Sequence, residues 1–362
     1  MIDQYFLVLT TIDLFVLTFM CILTKLSETL NGKQKRGFFL AFALIGVISI
    51  LEVITILVDG APVHLRCLNI LSNYLGFGLS PAVAACLVYA LDKKTVISRK
   101  FKAAVGCEVV YLLLLTALLP SGMVFSVSED NVYARGPYFA FYIVMYLAAL
   151  AYLAVSTIVT AWEFQNRSRV LLYPLIVFLA AETIIQIALP QLHVTWLCVT
   201  LLSVLYFIYC SEMWNQLDAL TGLLNQNSYL NRTAEMRRSG EVLVVFDVDD
   251  FKQVNDRYGH VKGDICLAEI AACIKKAYAR HGYCYRMGGD EFLVVLTNCS
   301  EEVVSRKNKE LGEVLLPVAA ADFGYSYAEF FRPEESFLQE MLEIADRRMY
   351  MAKRQAKCLQ PT

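Results

Sequence analysis

The sequence predicts a chain of two parts, an all-α bundle of membrane-spanning helices followed by an α+β domain. Apolar residues make up 57 % of the 362 residues and charged residues 18 %, whereas about 25 % are charged in an average globular domain. The apolar surplus is concentrated in long runs before residue 215, and the remainder reads as an ordinary domain. We therefore assign residues 1–214 to the bundle and residues 215–362 to the second domain.

Seven apolar stretches in the first part are long enough, or nearly long enough, to cross a bilayer. A hydrocarbon core about 30 Å thick requires about 20 residues of helix. The third stretch contains Gly76, Gly78 and Pro81, which spanning helices tolerate because neighbouring helices satisfy the freed backbone groups. We predict a seven-helix transmembrane sensory and regulatory domain with spans at residues 5–23, 37–58, 68–91, 103–124, 138–162, 170–189 and 195–213.

The basic residues predict the orientation of these spans. The alternate loops carry only Arg66 and Arg135, whereas the loops after the first, third and fifth spans carry eleven Lys and Arg residues. Lys and Arg accumulate in cytoplasmic loops. With seven spans, we expect a multi-pass protein of the cell membrane whose N-terminus lies outside and whose C-terminal domain is cytoplasmic. The eleven residues are Lys25, Lys33, Lys35, Arg36, Lys93, Lys94, Arg99, Lys100, Lys102, Arg167 and Arg169.

The carboxyl groups inside the predicted spans include Asp13, Glu52, Glu108 and Glu182. A carboxylate at membrane depth is costly and usually faces the bundle interior with a partner. Two interpretations remain open, a ligand or proton site in a sensory bundle, or carboxyls that hydrogen-bond and hold helices together. The loop SVSEDNVYARGP at residues 126–137 either shapes the mouth of a ligand site or only connects two spans.

The second part alternates helices and strands, which is typical of a sheet layered by helices. The last span continues into it without a break rich in Gly, Ser or Pro, and helical periodicity extends to about Asp218. Net charge is −2, so no general basic field indicates nucleic acid as a partner. We predict helices at residues 226–239, 261–279, 301–316 and 336–357, and strands at 241–246, 282–286, 291–296 and 318–325.

Acidic residues cluster where these strands end. Asp247 and Asp249 follow the first strand in FDVDDFKQVND, and Asp290 and Glu291 lie in RMGGDEF between two apolar segments that predict a hairpin. Carboxylates together with free backbone carbonyls are the hard oxygen ligands that Mg²⁺ prefers, and phosphates complete its coordination. The pattern predicts a magnesium and phosphate site at this edge of the sheet.

Two further residue types support a phosphate ligand there. Gly288 and Gly289 permit a tight turn and a close approach of a ligand to the backbone. Lys252 and Lys353 supply positive charge for phosphate groups.

Four segments, in this order along the chain, resemble the GGDEF family of diguanylate cyclases. The resemblance covers roughly residues 216–357 and is specific, because spacing and residue type agree at many positions. It implies a ferredoxin-like, cyclase/polymerase-palm sheet with the GGDEF hairpin beside the active site. The segments are DALTGLLN (218–225), DVDDFKQVNDRYGHVKGD (247–264), RMGGDEF (286–292) and ADRRMYMAK (345–353).

The resemblance also implies roles for the acidic residues. Asp247, Asp290 and the Val248 carbonyl would bind Mg²⁺, with Mn²⁺ as a substitute and two ions in each active site. Glu291 would help to bind metal or deprotonate the attacking hydroxyl, so Asp290, Glu291 and Lys252 form the expected catalytic set.

Further positions match the family's substrate contacts. Asn255 and Asp264 match its guanine readers, because an amide and a carboxylate can accept from guanine N1–H and N2–H₂. His260 lies in the same segment and is either a substrate contact or structural. The expected substrate-binding residues are Lys252, Asn255, His260, Asp264, Lys353 and Lys357, the lysines contacting phosphates.

The implied reaction joins two GTP molecules into cyclic di-GMP. The 3′-hydroxyl of one GTP attacks the α-phosphorus of another and releases pyrophosphate, and the symmetric product requires a homodimer with two facing domains. The family's Arg-x-x-Asp product-inhibition motif is replaced by Ala-Arg-His-Gly at residues 279–282, so feedback of that type is not expected. Gln226, Ala356 and Lys357 also depart from the family pattern and are expected to weaken catalysis without abolishing it.

Two other function classes remain as alternatives. The first is a catalytically silent GTP-binding signalling receptor, against which the intact acidic residues argue. The second is a transporter with an appended regulatory domain, for which the sequence shows no internal repeat. In each case the bundle contacts membrane lipid, and any small ligand of the bundle is unidentified.

Overall fold

The structure is a computed structural model that divides into two compact units. It describes residues 4–92, 98–165, 172–175, 177–178, 181, 184, 195–233, 241–248, 251–297, 300–315, 321–327, 347 and 349–351. The first unit comprises Met1–Glu163 and Arg167–Trp214, and the second comprises Phe164–Asn166 and Asn215–Thr362.

Six helices of the described residues are long and apolar enough to cross a membrane. They confirm six of the seven predicted stretches. The remaining stretch, residues 170–189, lies largely outside the described residues, although the positions described within it are helical. The six helices are α1 (Gln4–Leu26), α2 (Gly32–Val58), α3 (Arg66–Leu91), α4 (Arg99–Leu118), α5 (Phe139–Glu163) and α6 (Thr195–Asn215).

Side-chain caps fix where two of these helices begin. Asn31 Oδ1 accepts from the backbone N–H groups of Lys33 and Gln34 at 3.0 Å, and Gln34 Oε1 accepts from the Asn31 N–H at 2.9 Å. This reciprocal capping box satisfies N–H groups that have no partner inside the helix. Ser98 caps α4 by accepting from the Phe101 N–H at 3.1 Å.

A short β-hairpin follows α4. Its strands are β1 (Phe125–Val127) and β2 (Tyr133–Arg135), and we call residues 125–135 the Asn131 hairpin. Asn131 is fully buried and left-handed, with φ +62°. Its Nδ2 donates to the carbonyls of Val58 at 2.7 Å and Ala61 at 2.9 Å, and its Oδ1 accepts from Asn69 Nδ2 at 3.0 Å. Asn131 therefore fixes a segment that the sequence left as a connector or a ligand mouth.

The carboxyls inside the helices differ in their surroundings. Asp13 is buried, and its Oδ2 accepts from Ser49 Oγ at 2.7 Å. This bond joins α1 to α2 and supports the packing interpretation for Asp13. Glu52 is half-buried on α2, Glu108 lies on α4, and Glu182 is outside the described residues.

The second unit contains a five-stranded sheet with helices. Its strand order is β3-β5-β6-β4-β7, with β3 and β5 parallel and the other neighbours antiparallel. The predicted strands are confirmed, whereas the short helix α8 was not predicted. The elements are β3 (Leu224–Asn225), α7 (Gln226–Thr233), β4 (Glu241–Val248), α8 (Phe251–Tyr258), α9 (His260–Tyr278), β5 (Gly282–Gly288), β6 (Glu291–Thr297), α10 (Glu301–Leu315) and β7 (Ala321–Tyr327).

One face of this sheet packs against α9. Alternate residues of β4 and β6 lie in the core, as expected when successive strand side chains point to opposite faces. The helix contributes residues three and four positions apart, which form a single stripe. The buried set includes Val244, Phe246, Val248, Phe292, Val294, Leu296, Leu267, Ile270, Ala271 and Ile274. Of the predicted helix 336–357, only positions 347 and 349–351 are described, and they are helical.

Helix α6 ends earlier than the sequence predicts. It stops at Asn215 rather than near Asp218, because the following residues form backbone pairs with the segment before α7. Leu217 forms a bridge with Leu224, and the Asp218 N–H donates to the Leu223 carbonyl at 2.8 Å.

Three residues after α5 belong to the second unit. Gln165 Nε2 donates to the carbonyls of Ala279 at 3.0 Å and Gly282 at 2.6 Å, and its Oε1 accepts from the Cys284 N–H at 3.2 Å. Phe164 lies beside Lys275, with 4.5 Å between Nζ and the ring centroid. The second unit is therefore built from two separate segments of the chain.

Candidate active site

The candidate site is built on the hairpin of β5 and β6, which we call the GGDE hairpin, residues 282–297. Gly289 and Asp290 form its turn. Gly289 has φ +51°, in the left-handed region that favours glycine. Apart from its own chain neighbours, no described residue has an atom within 4 Å of the position that a Cβ would take there. The turn therefore has open space beside its backbone.

An arginine joins this turn to the DALTGLLN segment. Arg286 Nη1 lies 3.1 Å from Asp218 Oδ1, and its Nε and Nη2 donate to the Gly289 carbonyl at 3.1 and 2.7 Å. Thr221 also donates to Asp218 Oδ1, from its N–H at 2.8 Å and its hydroxyl at 2.6 Å. The sequence alone indicates no role for Arg286 beyond its place in the RMGGDEF segment.

These contacts determine the ionisation of Asp218. Burial by itself would raise the pKa of this carboxyl, but the hydrogen bonds from Thr221 and Arg286 lower it by more. The pKa of Asp218 therefore lies below its usual value. A carboxylate held in its charged form retains Arg286, which in turn holds the Gly289 carbonyl.

The strand register brings the predicted acidic residues to one edge of the sheet. Asp247, near the end of β4, lies opposite Glu291 at the start of β6. The next residue, Val248, donates its backbone N–H to the Asp290 carbonyl at 3.3 Å. Asp247 and Asp290 are half-buried, Glu291 is exposed and Val248 is buried. Asp247, in β4, and Asp290, in the turn just before β6, thus lie at the same end of two neighbouring strands.

These oxygen atoms are chemically suitable for Mg²⁺. Mg²⁺ is commonly bound by one or two carboxylates together with substrate phosphates and water. Among the described residues, no three His, Cys, Asp or Glu side chains are grouped as a ready-made metal centre. An edge with a few carboxylates fits an ion that a phosphate ligand helps to hold. Asp249 lies outside the described residues.

A helix–glycine–helix segment follows β4 and carries the predicted substrate-binding residues. Gly259 separates α8 from α9, with φ +82°, and its N–H donates to the Asn255 carbonyl at 2.8 Å. Lys252 is exposed on α8, and His260 and Asp264 are exposed on the first turns of α9.

Asn255 has an unusual environment on α8. Its side-chain Oδ1 is buried and accepts no hydrogen bond from the part of the chain that the structure describes. It lies against Gly263, where an added Cβ would overlap that oxygen. A buried acceptor without a donor costs about 1–3 kcal/mol. Gly263 directly precedes Asp264 in the chain. A ligand with N–H donors would therefore find two acceptors, Asn255 Oδ1 and the Asp264 carboxylate, within one segment.

The structure thus describes eight of the ten predicted site residues. It brings Asp247, Val248, Asp290 and Glu291 to one sheet edge, and it places Lys252, Asn255, His260 and Asp264 on α8 and the start of α9. Lys353 and Lys357 lie outside the described residues. The individual roles of all ten residues remain predictions.

Comparison with known proteins identifies the second unit. Residues 215–358 match the family model described as diguanylate cyclase, GGDEF domain. The probable diguanylate cyclase DgcJ of Escherichia coli is 28 % identical over 143 residues, which are 38 % of this chain and 29 % of DgcJ. The diguanylate cyclase DgcS of Shewanella oneidensis is 32 % identical over 155 residues, which are 39 % of this chain and 51 % of DgcS.

The comparison also found a solved structure. The GGDEF domain of DgcB from Caulobacter crescentus, in complex with c-di-GMP, is 25 % identical with a TM-score of 0.35, and the match covers 38 % of this chain and 90 % of that one. The chain spans 29 % of the length of DgcJ and 51 % of DgcS. Residues 215–358 are a GGDEF domain, preceded by helices that are long and apolar enough to cross a membrane.

Proposed function

We propose that this chain is a membrane-bound diguanylate cyclase that condenses two GTP molecules into cyclic di-GMP and pyrophosphate. The observation that carries the proposal is the register that sets Asp247 opposite Glu291 and joins Val248 to Asp290. It places acidic oxygen atoms beside the open turn at Gly289. The names of the curated relatives, diguanylate cyclases, support the same activity.

The proposed architecture has a boundary between residues 214 and 215. The order of the four long strands, β5-β6-β4-β7, supports a ferredoxin-like, palm-type sheet in which β6 separates the parallel pair β4 and β5. One set of loops carries eleven basic residues and the other set carries two. With seven spans, this distribution supports an N-terminus outside the cell and a cytoplasmic GGDEF domain.

In this proposal the sheet edge holds the metal and the proton acceptor. Asp247, the Val248 carbonyl, Asp290 and Glu291 would hold Mg²⁺ or Mn²⁺, two ions in each site. When bound, these ions supply neutralisation of the charge that develops on the phosphate. The exposed Glu291 carboxylate would take the proton of the attacking 3′-hydroxyl or add an oxygen ligand.

The helix–glycine–helix segment would read the base. Asn255 Oδ1 lacks a donor among the described residues, and guanine N1–H and N2–H₂ would satisfy it together with Asp264. Lys252 would contact a phosphate, and His260 lies one turn before Asp264. For Lys353 and Lys357 the family resemblance alone supports a phosphate contact.

The symmetric product supports a homodimer as the active form. Each domain would present one GTP, and a two-fold axis would place each 3′-hydroxyl toward the other α-phosphorus. The bundle, residues 1–214, would regulate how the two domains meet. No heptad repeat that could form a coiled-coil stalk precedes the domain in the sequence.

Turnover by the full-length protein tests the proposal. The protein in lipid nanodiscs, given GTP and Mg²⁺, should form cyclic di-GMP, measured by liquid chromatography and mass spectrometry. Glu291→Gln should lower the rate by about 10²-fold or more, because the amide accepts no proton. Glu302→Gln makes the same change at an exposed position of α10 and should leave the rate unchanged.

Two outcomes would contradict the proposal. If the wild-type protein binds GTP but forms no product, the chain is instead the silent GTP-binding receptor. A Glu291→Gln variant as fast as Glu302→Gln would remove Glu291 from the catalytic set.

A further inference from the structure

Helices α3, α4 and α5 enclose a cavity of about 350 Å³ within the first unit. Six of its eleven described lining residues are alanines, two of them on each helix. Most of the side chains around the cavity are therefore small and apolar. An engineered apolar cavity of about 150 Å³ holds a benzene molecule. The larger volume here suits an aromatic ring with a short chain, about a dozen non-hydrogen atoms.

Among the described residues that line the cavity, Glu108 is the one with a charged side chain. Its Oε1 is buried and accepts no hydrogen bond from any residue that the structure describes. Two polar groups near this part of α4 already have partners. The Tyr152 hydroxyl, also in the lining, donates to the Lys100 carbonyl at 2.9 Å, and Lys100 Nζ donates to Thr160 Oγ1 at 3.0 Å.

A second cavity gives a useful contrast. It lies between α3, α5, α6 and residues 172 and 175, and none of its described lining residues is charged. Two of its hydroxyl groups, on Thr157 and Tyr206, bond to each other at 2.9 Å. These two polar groups are thus paired with each other, whereas Glu108 offers an acceptor to an incoming group.

We propose that the cavity at Glu108 binds a small amphiphilic amine that enters from the bilayer. The ammonium group would donate to Glu108 Oε1, and the apolar body would lie against the alanines. Charge complementarity favours this occupant, because an acidic oxygen at membrane depth requires a partner and a cation gives the strongest one. The inference is independent of the proposed cyclase activity and concerns only the bundle.

Paired probes of equal shape test this assignment. The full chain is placed in phosphatidylcholine nanodiscs and titrated by calorimetry with 4-phenylbutylamine and with 4-phenylbutanol, and empty nanodiscs are subtracted. The amine should bind about tenfold or more tightly than the alcohol, since a charge-assisted hydrogen bond is stronger than a neutral one. Glu108→Gln should remove this preference.

Two more variants complete the experiment. Glu52→Gln changes a glutamate of α2 that does not line the cavity, and it should keep the preference for the amine. Ala104→Phe fills the cavity and should remove binding of both probes, which tests the site even if Glu108→Gln fails to fold.

Several results would overturn the proposal. They are equal binding of amine and alcohol to the wild-type protein, tighter binding of the alcohol, retention of the amine preference in Glu108→Gln, and absence of binding. Tighter binding of the alcohol would point to a protonated Glu108 and a neutral ligand.

Discussion

The Asn131 hairpin and the GGDE hairpin reach the same backbone conformation with different residues. Asn131 has φ +62° and Gly289 has φ +51°, and asparagine and glycine are the residues that enter this region most readily. Asn131 is fully buried, and its amide bonds to three partners. The Cβ position of Gly289 has no neighbour within 4 Å among the described residues, apart from those next to it in the chain.

The difference separates two uses of a left-handed turn residue. In the first hairpin the side chain fills the space and satisfies buried carbonyls, so the turn contributes to stability. In the second hairpin the space is left open, and Arg286 holds the turn from outside through the Gly289 carbonyl. An open turn next to Asp290 and Glu291 is available to a ligand. Three substitutions test this contrast.

The largest effect on stability is expected at Asn131. Asn131→Ala removes the donors to the carbonyls of Val58 and Ala61. It also places alanine, which enters the left-handed region less readily than asparagine, at positive φ. The free energy of unfolding should fall by about 2–4 kcal/mol. Unfolding of the full-length protein in mixed micelles by added sodium dodecyl sulfate, followed by circular dichroism, measures this change.

Two matched variants separate the causes. Asn131→Gly accepts the backbone conformation without strain, so it isolates the lost hydrogen bonds and should fall between alanine and wild type. Asn227→Ala, at an exposed position of α7, should change little. A loss at Asn131 no larger than that at Asn227 would show that this hairpin is not held by its asparagine.

A smaller stability effect, combined with a functional one, is expected at Gly289. Gly289→Ala meets no neighbour but adopts a left-handed conformation that costs about 1–2 kcal/mol for a Cβ residue. The turn should shift, and turnover should fall about tenfold, because catalysis is sensitive to displacements of about 1 Å. Rates of the proposed cyclic di-GMP formation measure the change.

Asparagine at the same position provides the contrast. Gly289→Asn tolerates positive φ better and should retain more activity than the alanine variant. Gly76→Ala, at a helical position of α3 with free space, should leave both stability and rate nearly unchanged. Equal losses for Ala and Asn at 289 would mean that occupied space, and not backbone strain, matters there.

The smallest effect is expected from the pH dependence at Asp218. Because the folded-state pKa of this carboxyl is lowered, its contribution to stability is fully present above the unfolded pKa of about 4 and is lost as the pH falls through the folded value. The stability difference between wild type and Asp218→Asn should therefore shrink on acidification. Urea unfolding between pH 7 and pH 3 measures this difference.

An exposed aspartate serves as the control for this titration. Asp256→Asn changes a carboxyl on the exposed side of α8, so the comparison isolates the contacts of Asp218. A wild-type advantage over Asp218→Asn that grows toward pH 3 would contradict the assigned direction.

Local patterns in the sequence were sufficient to predict most elements. Long apolar runs predicted the membrane helices, and short apolar segments predicted β4, β5 and β6, because these signals depend on neighbouring residues. The same logic placed Asp247 and Asp290 at strand ends, and the register confirms that the two strands meet there. Helix α8 was missed although Phe251, Val254 and Tyr258 recur at helical spacing, because eight residues are too few to give a clear periodic pattern.

Contacts between distant residues could not be predicted in this way. Asn131 bonds to a carbonyl 73 residues away, and Arg286 pairs with a carboxylate 68 residues away. Nothing in the local sequence of either residue specifies its partner. The cavity at Glu108 likewise depends on how three helices pack, although the glutamate itself was recognised as a polar group within a span.

The contribution of Gln165 to the second unit bears on how that unit can be isolated. A fragment that begins at residue 215 lacks this side chain. In the full chain, Gln165 hydrogen-bonds to the backbone edge of β5 at Gly282 and Cys284. Unpaired strand edges offer their N–H and C=O groups to other molecules and favour aggregation. Supplying residues 164–166, by fusion or as a peptide, would restore the missing piece of the domain.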